Sequence, residues 1–445
     1  MRSPLTKSRG AVAVMFGLLL LVLVGMVGLA IDSGRAYGVR AKLSTALDAA
    51  ALAAGRALAT GATDADREAA AISAGQRYYA ANYPPGYLGS TLGPVSLNVT
   101  HDASGFWTVS ASGSAQLGVT FLGALGITTP VIVGTSATAV RRDVDVMLVL
   151  DSSGSLANPA STLPNLKAAA INDFVNRFAS GPGGDRVGVV SFASGAVVNV
   201  PIDKTATRGF NKTQVTNAIN ALQAAGSTAQ AEGLRVALAE LDAVPATLRS
   251  GLRVIAFFSD GAPNEVSATF YRTVAKTSVT GDLYSETTGP ATAAATRLYS
   301  NTQLNAQTGT YTDIATLPTL GIGSVPLASY DNMRTLSGSP VTNTQCNVNK
   351  AARNMAENVA NTARGEGVLV MTVGLGAALT SLEVTYCGYG TKEYGQSILT
   401  RFANPTTSDT YNAAQPVGIY CYAADSSQLA TCFSRIADAV LRLTQ

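Results

Sequence analysis

The residues best equipped for chemistry are Asp151, Ser153 and Ser155, in the run Asp151-Ser152-Ser153-Gly154-Ser155. This D-x-S-x-S loop follows the apolar run 145–150, which reads as a buried strand. One carboxylate and two hydroxyls on a short loop are hard oxygen donors. They suit Mg2+, with Mn2+ or Ca2+ as alternatives. Two further segments strengthen the reading. Ala225-Gly226-Ser227-Thr228-Ala229 puts a threonine in a small-residue loop before a helical pattern, and Phe257-Phe258-Ser259-Asp260-Gly261 ends a second apolar run on an aspartate. Asn264, just beyond, reads more simply as a turn residue than as support for an ion. A serine hydrolase is the competing chemistry. The chain has one histidine, His101, far off in a turn-like Val-Thr-His-Asp-Ala-Ser-Gly stretch, and no G-x-S-x-G elbow, so that class is disfavoured. A zinc site built on three histidines is excluded. Gly181-Pro182-Gly183-Gly184 lacks the Lys and Ser/Thr of a phosphate loop and reads as a turn.

Positioning these donors requires strand ends that converge. Apolar runs at 144–150, 186–192, 253–259 and 367–374 alternate with helical patterns near 162–179, 213–223 and 228–243. Such alternation predicts a mainly parallel sheet covered by helices on both faces, an α/β Rossmann-like fold. Ligand sites in open sheets of this kind lie at the carboxyl ends of the strands. A last helix over 426–443 aligns Leu429, Phe433, Ile436, Val440 and Leu443 on one stripe. Residues 266–349, rich in Thr, Ser, Gly, Asn and Tyr, interrupt the pattern with little periodicity and read as a surface-specific insertion rather than core. Tyr side chains there and near 386–394 fit either local packing or a binding surface.

Together the three donor segments resemble the von Willebrand factor A (VWA) family. Its metal-ion-dependent adhesion site (MIDAS) combines D-x-S-x-S, a loop threonine and a strand-end aspartate. Asp151, Ser153, Ser155, Thr228 and Asp260 match those five positions, and none departs. The resemblance covers 143–262, resumes at 350–445, and leaves the insertion outside it. It implies a bound Mg2+, held partly through waters, with an open position for a carboxylate from a partner protein.

Residues 11–31 form an uninterrupted apolar run without charge or proline. About 20 such residues cross a bilayer core. The run is longer than a signal-peptide core and no clean A-x-A site follows, so it reads as a retained anchor contacting membrane lipid. Arg2, Lys7 and Arg9 precede it, which favours a cytoplasmic N-terminus over residues 1–10 and an extracytoplasmic bulk, although Arg35, Arg40 and Lys42 follow. Residues 34–60 and about 64–82 read as helices, the first with Leu43, Leu47 and Ala50/Ala51 on one face, and 94–140 as short strands. Residues 32–142 thus form a small helix-plus-β region before a head over 143–445.

The cysteines are Cys346, Cys387, Cys421 and Cys432, with no C-x-x-C pair. An even count in an exported chain points to two disulfides. Three connectivities exist; Cys421 with Cys432 and Cys346 with Cys387 is favoured, because the first pair joins a predicted strand to its following helix. Buried free thiols are the alternative. Charged residues make up 13% of the chain, against about 25% in ordinary globular proteins. The net charge is +3 without clustering, so nucleic acid is not an expected partner.

The N-terminal part carries a second resemblance. Arg9-Gly10-Ala11-Val12-Ala13-Val14, then Ala30-Ile31-Asp32-Ser33-Gly34-Arg35, then Leu43-Ser44-Thr45-Ala46-Leu47-Asp48-Ala49-Ala50-Ala51-Leu52-Ala53 look like the start of TadG-like proteins of bacterial tight-adherence (Tad/Flp) pilus systems. The resemblance implies a non-enzymatic, inner-membrane pilus assembly or adhesion component that meets other Tad/Flp proteins or pilins. The alternative is a pseudopilin-like fibre subunit. Prepilin-type cleavage after Gly10 is disfavoured, because Met15 occupies the position where such substrates carry Glu.

Overall fold

The structure is a computed structural model that describes residues 9–58, 63–102, 106–121, 123, 126–286, 290–330, 334–381, 387 and 394–443. Arg2, Lys7, Tyr386 and Tyr389 lie outside these residues. The chain divides into two compact units, with the boundary near Arg141–Arg142.

The N-terminal unit begins with α1 (Arg9–Ala57), a single 49-residue helix that runs through both the apolar run and the helical pattern after it. Its first half is long and apolar enough to cross a membrane, with a mean hydropathy of 2.8 over the best window. Met15 and Phe16 there are 71% and 66% exposed. Its second half is a core helix. Leu43, Leu47, Ala50 and Ala51 are buried together, joined by Tyr79 and Tyr83 from the α2 segment and turn and by Ala111 and Ala115. The small side chains let the helix lie close on its sheet. α2 (Asp64–Asn82) leads into β1 (Ser90–His101), β2 (Phe106–Leu117) and β3 (Val131–Arg142), a three-stranded sheet in that order. Between the two halves of α1, Asp32 accepts backbone bonds from Thr120 and Phe121 (3.3 and 3.1 Å) and pairs with Arg35 at 3.2 Å. His101 is not in a turn: it ends β1 and stacks on Trp107 with ring centroids 4.0 Å apart.

The C-terminal unit is built on β4 (Val144–Asp151), β5 (Arg186–Phe192), β6 (Ala196–Val200) and β7 (Leu252–Ser259). Helices α3 (Thr162–Ala169), α4 (Lys212–Asn220) and α5 (Gln230–Asp242) come between them. The helix expected over 162–179 breaks after Ala169 into a π turn and a 3-10 turn. The insertion carries β8 (Glu265–Arg272), β9 (Thr277–Tyr284), β10 (Arg297–Tyr299) and β11 (Gln307–Thr310). Then come α6 (Gln345–Gly365), β12 (Leu369–Leu375), α7 (Gly395–Ala403), β13 (Tyr420–Ala423) and α8 (Leu429–Leu443). The main sheet runs β13-β12-β7-β4-β5-β6, parallel except for β6, which pairs antiparallel with β5.

Both faces are covered, which explains the unbroken apolar runs. Met147, Val149, Phe192, Ile255 and Phe257 point to one face, under α5, α6 and α7. Val146, Leu148, Leu150, Val254 and Phe258 point to the other, under α3, α4 and α8. At the amino end of the strands, Asp145 and Arg186 form a fully buried ion pair at 3.1 Å. Ser250 donates to Asp145 through both its amide and its hydroxyl, each at 2.8 Å.

The insertion departs from its sequence reading. It forms a separate antiparallel sheet, β11-β10-β9-β8, and its inner face belongs to the core. Val266, Ala268, Phe270, Leu283 and Leu298 are buried in the same cluster as α5 and α6. The physical reason lies in period-2 alternation: the buried apolar residues Val266, Ala268 and Phe270 of β8 are separated by Ser267 and Thr269, so composition reads as loop while one face is apolar. Both disulfides favoured from sequence are formed, Cys346–Cys387 and Cys421–Cys432.

Candidate metal centre

The parallel register carries Asp151, at the end of β4, and Asp260, one residue beyond β7, to the same sheet edge. Asp151 is fully buried and turns back on its own loop, its Oδ1 accepting the Ser153 amide at 2.8 Å. Ser153 Oγ and Ser155 Oγ lie 3.1 Å apart, and the Ser155 hydroxyl donates to Asp260 Oδ1 at 2.9 Å. Four of the five candidate donors therefore form one contiguous network. It is buried at Asp151 and Ser153 and open to solvent at Ser155.

Thr228 comes from the neighbouring loop. Gly154 N–H donates to Gly226 O at 3.0 Å and Ala225 N–H to Ser152 O at 2.9 Å, which lash that loop to the D-x-S-x-S turn. Gly226 adopts φ +87°, and a Cβ there would meet Ser194 Oγ at 2.9 Å and Leu304 O at 3.0 Å, so the close approach needs glycine. The Thr228 side chain has no direct hydrogen bond to Asp151, Ser153, Ser155 or Asp260 among the described residues. Its backbone is fixed instead by Asn264, whose Oδ1 accepts the Thr228 amide at 2.9 Å while the Asn264 amide donates to Thr228 O at 3.2 Å. Asn264 is therefore more than a turn residue: it aligns the threonine loop.

Two supporting residues escaped the sequence reading. Ser259 donates to Asp151 Oδ2 at 2.6 Å, and Gln230 Nε2 donates to Ser259 Oγ at 3.0 Å and to Gly261 O at 2.7 Å. Ser259 directly precedes Asp260 in a buried strand, a polar residue with no apolar reason to be there. That was its one signal. Gln230, in a helix, gave none.

The electrostatics are those of two carboxylates short of positive charge. Burial first, then the nearby Asp260 carboxylate, pushes Asp151 up to about 7. Burial raises Asp260 to about 6, against the opposing hydrogen bond from Ser155. No Lys or Arg side chain hydrogen-bonds either carboxylate among the described residues. Nor is there, among those residues, a group of three or more His, Cys, Asp or Glu side chains able to hold a metal ion. Any ion here would rest on two carboxylates plus hydroxyls. That donor set is hard, anionic and uncompensated, and it fits a hard divalent cation.

The comparisons follow the same division of the chain. Residues 146–262 match the von Willebrand factor type A domain family, and residues 10–57 match the Flp pilus-assembly TadE/G-like family. No curated protein matches the chain. Among solved structures, the vWF domain of the type V pili tip protein Mfa5 from Porphyromonas gingivalis is 18% identical, covering 69% of this chain and 98% of that one, with a TM-score of 0.40. A point mutant of the PilB minor pilin from Streptococcus sanguinis is 14% identical, covers 79% of each chain and has a TM-score of 0.38. Proximal thread matrix protein 1 from the mussel byssus, with a zinc-occupied MIDAS motif, is 17% identical over 68% of this chain and 46% of that one, with a TM-score of 0.34. The chain thus joins an N-terminal segment that matches the TadE/G-like family to a unit of Rossmann-like α/β fold whose residues 146–262 match the von Willebrand factor type A domain family.

Proposed function

We propose that this chain is a non-enzymatic, single-pass inner-membrane component of a Tad/Flp pilus system, and that its VWA head grips a partner protein through a divalent metal ion. Asp151, Ser153, Ser155, Thr228 and Asp260 would hold that ion, with Mg2+ as the first candidate. The observation that carries the reading is the uncompensated Asp151–Ser153–Ser155–Asp260 network at the carboxyl edge of the sheet, in a chain that begins with an apolar helix and a TadE/G-like match. A bound ion would supply a Lewis-acidic position for a partner's carboxylate. The chain's own residues do the rest. Asp151 and Asp260 contribute charge, Ser153 and Ser155 neutral oxygens, and Ser259, Gln230 and Asn264 fix their orientation. A nucleophilic serine has no support, since the Ser155 hydroxyl donates to a carboxylate and His101 belongs to the other unit.

The partner class is a pilin or another Tad/Flp assembly protein presenting an acidic residue. The test is made in the native host by replacing the gene with an Asp151→Ala version, counting pili and fractionating the cells. Loss of pili with the variant still in the inner membrane is the expected result. Normal piliation would remove the metal-dependent role. Recovery of the wild-type chain in sheared fibres rather than the inner membrane would favour the pseudopilin alternative.

A further inference from the structure

A second pair of acidic side chains lies behind the threonine loop, and nothing in the first centre uses it. Glu265 opens β8 immediately after Asn264, and Asp282 lies on β9. The register pairs Glu265 with Tyr284 and Ser267 with Asp282, so Glu265 and Asp282 are diagonal neighbours on one face of the hairpin. They are 1% and 0% exposed. Among the described residues, neither Glu265 oxygen has a hydrogen-bond partner, and Asp282 Oδ2 has none either. Asp282 Oδ1 accepts from the Ser267 hydroxyl. The hydroxyls of Ser227 and Ser194 stand close enough to Glu265 to lower its pKa, without making a hydrogen bond of ordinary length. Ser194 is itself fixed, its Oγ accepting the Ser227 amide at 2.9 Å.

The charges do not balance. Glu232 is taken by Arg235 at 2.9 and 2.5 Å, and Glu286 by Arg297 at 2.8 Å. Once those pairs are made, Glu265 and Asp282 remain: two buried carboxylates, equal in charge to one divalent cation. A fully buried, unpaired carboxylate oxygen is costly, and burial together with their mutual repulsion raises the Glu265 pKa well above its ordinary value.

We propose that Glu265 and Asp282, with the hydroxyls of Ser194 and Ser227, form a second divalent-cation site for Ca2+, roofed by the β8–β9 hairpin and separate from the Asp151–Asp260 centre. Ca2+ suits it better than Mg2+. It accepts irregular oxygen shells and bidentate carboxylates, whereas Mg2+ keeps several waters, and both carboxylates are closed to solvent. The ion would tie the insertion to the loop that carries Thr228, because Ser227 precedes that threonine and Asn264 precedes Glu265.

The test is calorimetric titration of the full chain in detergent micelles, stripped with chelator, using CaCl2 alone. Asp260→Asn should retain one Ca2+ per chain, and Glu265→Gln with Asp282→Asn should bind one fewer than wild type. The triple variant should bind none. An Asp260→Asn chain that binds no Ca2+, or a Glu265→Gln/Asp282→Asn chain that binds as many as wild type, overturns the proposal. Failure of the first centre reads differently, as an Asp260→Asn chain with the wild-type count. Should the amide pair fail to fold, Tb3+ emission excited through tyrosine decides the matter in the Asp260→Asn background. Adding Tyr284→Phe, opposite Glu265, should cut that emission at least twofold, and unchanged emission refutes the site.

Discussion

At the residue scale the Asp151–Asp260 pair has a pH signature. Both groups titrate higher in the folded, metal-free chain than their ordinary 3.8, Asp151 near 7 and Asp260 near 6. The folded state therefore holds more protons than the unfolded state through that window, and stability falls as pH rises from about 4 to about 7. Glu265 and Asp282 act with the same sign. In EDTA the melting temperature should drop across this range; a rise would mean the carboxylates are stabilised as anions without metal. Saturating Mg2+ should flatten the fall, because it favours the ionised forms. Asp151→Asn keeps an oxygen for the Ser153 amide but removes the charge. It should fold in EDTA and lose the Mg2+ increment, which for wild type is about 2.7 kcal/mol at a hundredfold excess over Kd. The sequence singled out Asp151, Ser153 and Ser155 by their spacing in one loop, and Thr228 and Asp260 through the family resemblance; the structure brings Asp151, Ser153, Ser155 and Asp260 into one network. The roles of Ser259, Gln230 and Asn264 were not legible there, because what they do depends on which loops meet, and no linear spacing records that.

At the element scale, the long apolar strands and the helices before β7 and at the C-terminus were readable, whereas α6, α7 and the Thr-rich strands of the insertion were not. β4, β5, β7 and β12 are mostly apolar, with apolar side chains on both sides of the strand, because both faces are covered. β6 spans five residues, too short to show a period, whereas the four-residue β13 was read as the strand that carries Cys421. The β8–β9 hairpin hides its apolar face behind alternating Ser and Thr. The insertion also presses on the site: the Ser194 amide donates to Leu304 O at 2.8 Å, and a Cβ on Gly195 would collide with Ser300 O. Gly226→Ala should then cost more than the about 1–2 kcal/mol of a left-handed backbone alone, since its new methyl meets Ser194 and Leu304. Thermal melts with and without Mg2+ check this, and a neutral substitution would show that the loops need not pack so closely. The Cys421–Cys432 bridge joins β13 to α8 across 11 residues. Replacing both cysteines with serine should cost about 3 kcal/mol, by the loop entropy the bridge removes from the unfolded chain, read from the denaturant midpoint.

At the scale of the whole molecule, the apolar half of α1 and the two disulfides bear on one question: which side of a membrane holds the head. Disulfides persist in oxidising compartments and are rare in the cytosol. Arg2, Lys7 and Arg9 stand before the apolar run, and the positive-inside bias favours the cytoplasm for that end. The charges after the span, Arg35, Arg40 and Lys42, oppose this bias, but Arg35 is engaged with Asp32, Thr120 and Leu88 within the N-terminal unit. Its charge is thus partly neutralised by folding. These features support the proposed orientation, with the N-terminus inside and residues beyond 31 outside. In intact spheroplasts, added protease should degrade the head and leave a short membrane-embedded fragment. Thiol-reactive maleimide should label Cys346, Cys387, Cys421 and Cys432 only after reduction. A protected head whose cysteines label without reductant would place it in the cytosol. That result would also remove the extracytoplasmic partner from the proposed function, because the metal edge would then face the wrong compartment for a pilin outside the membrane.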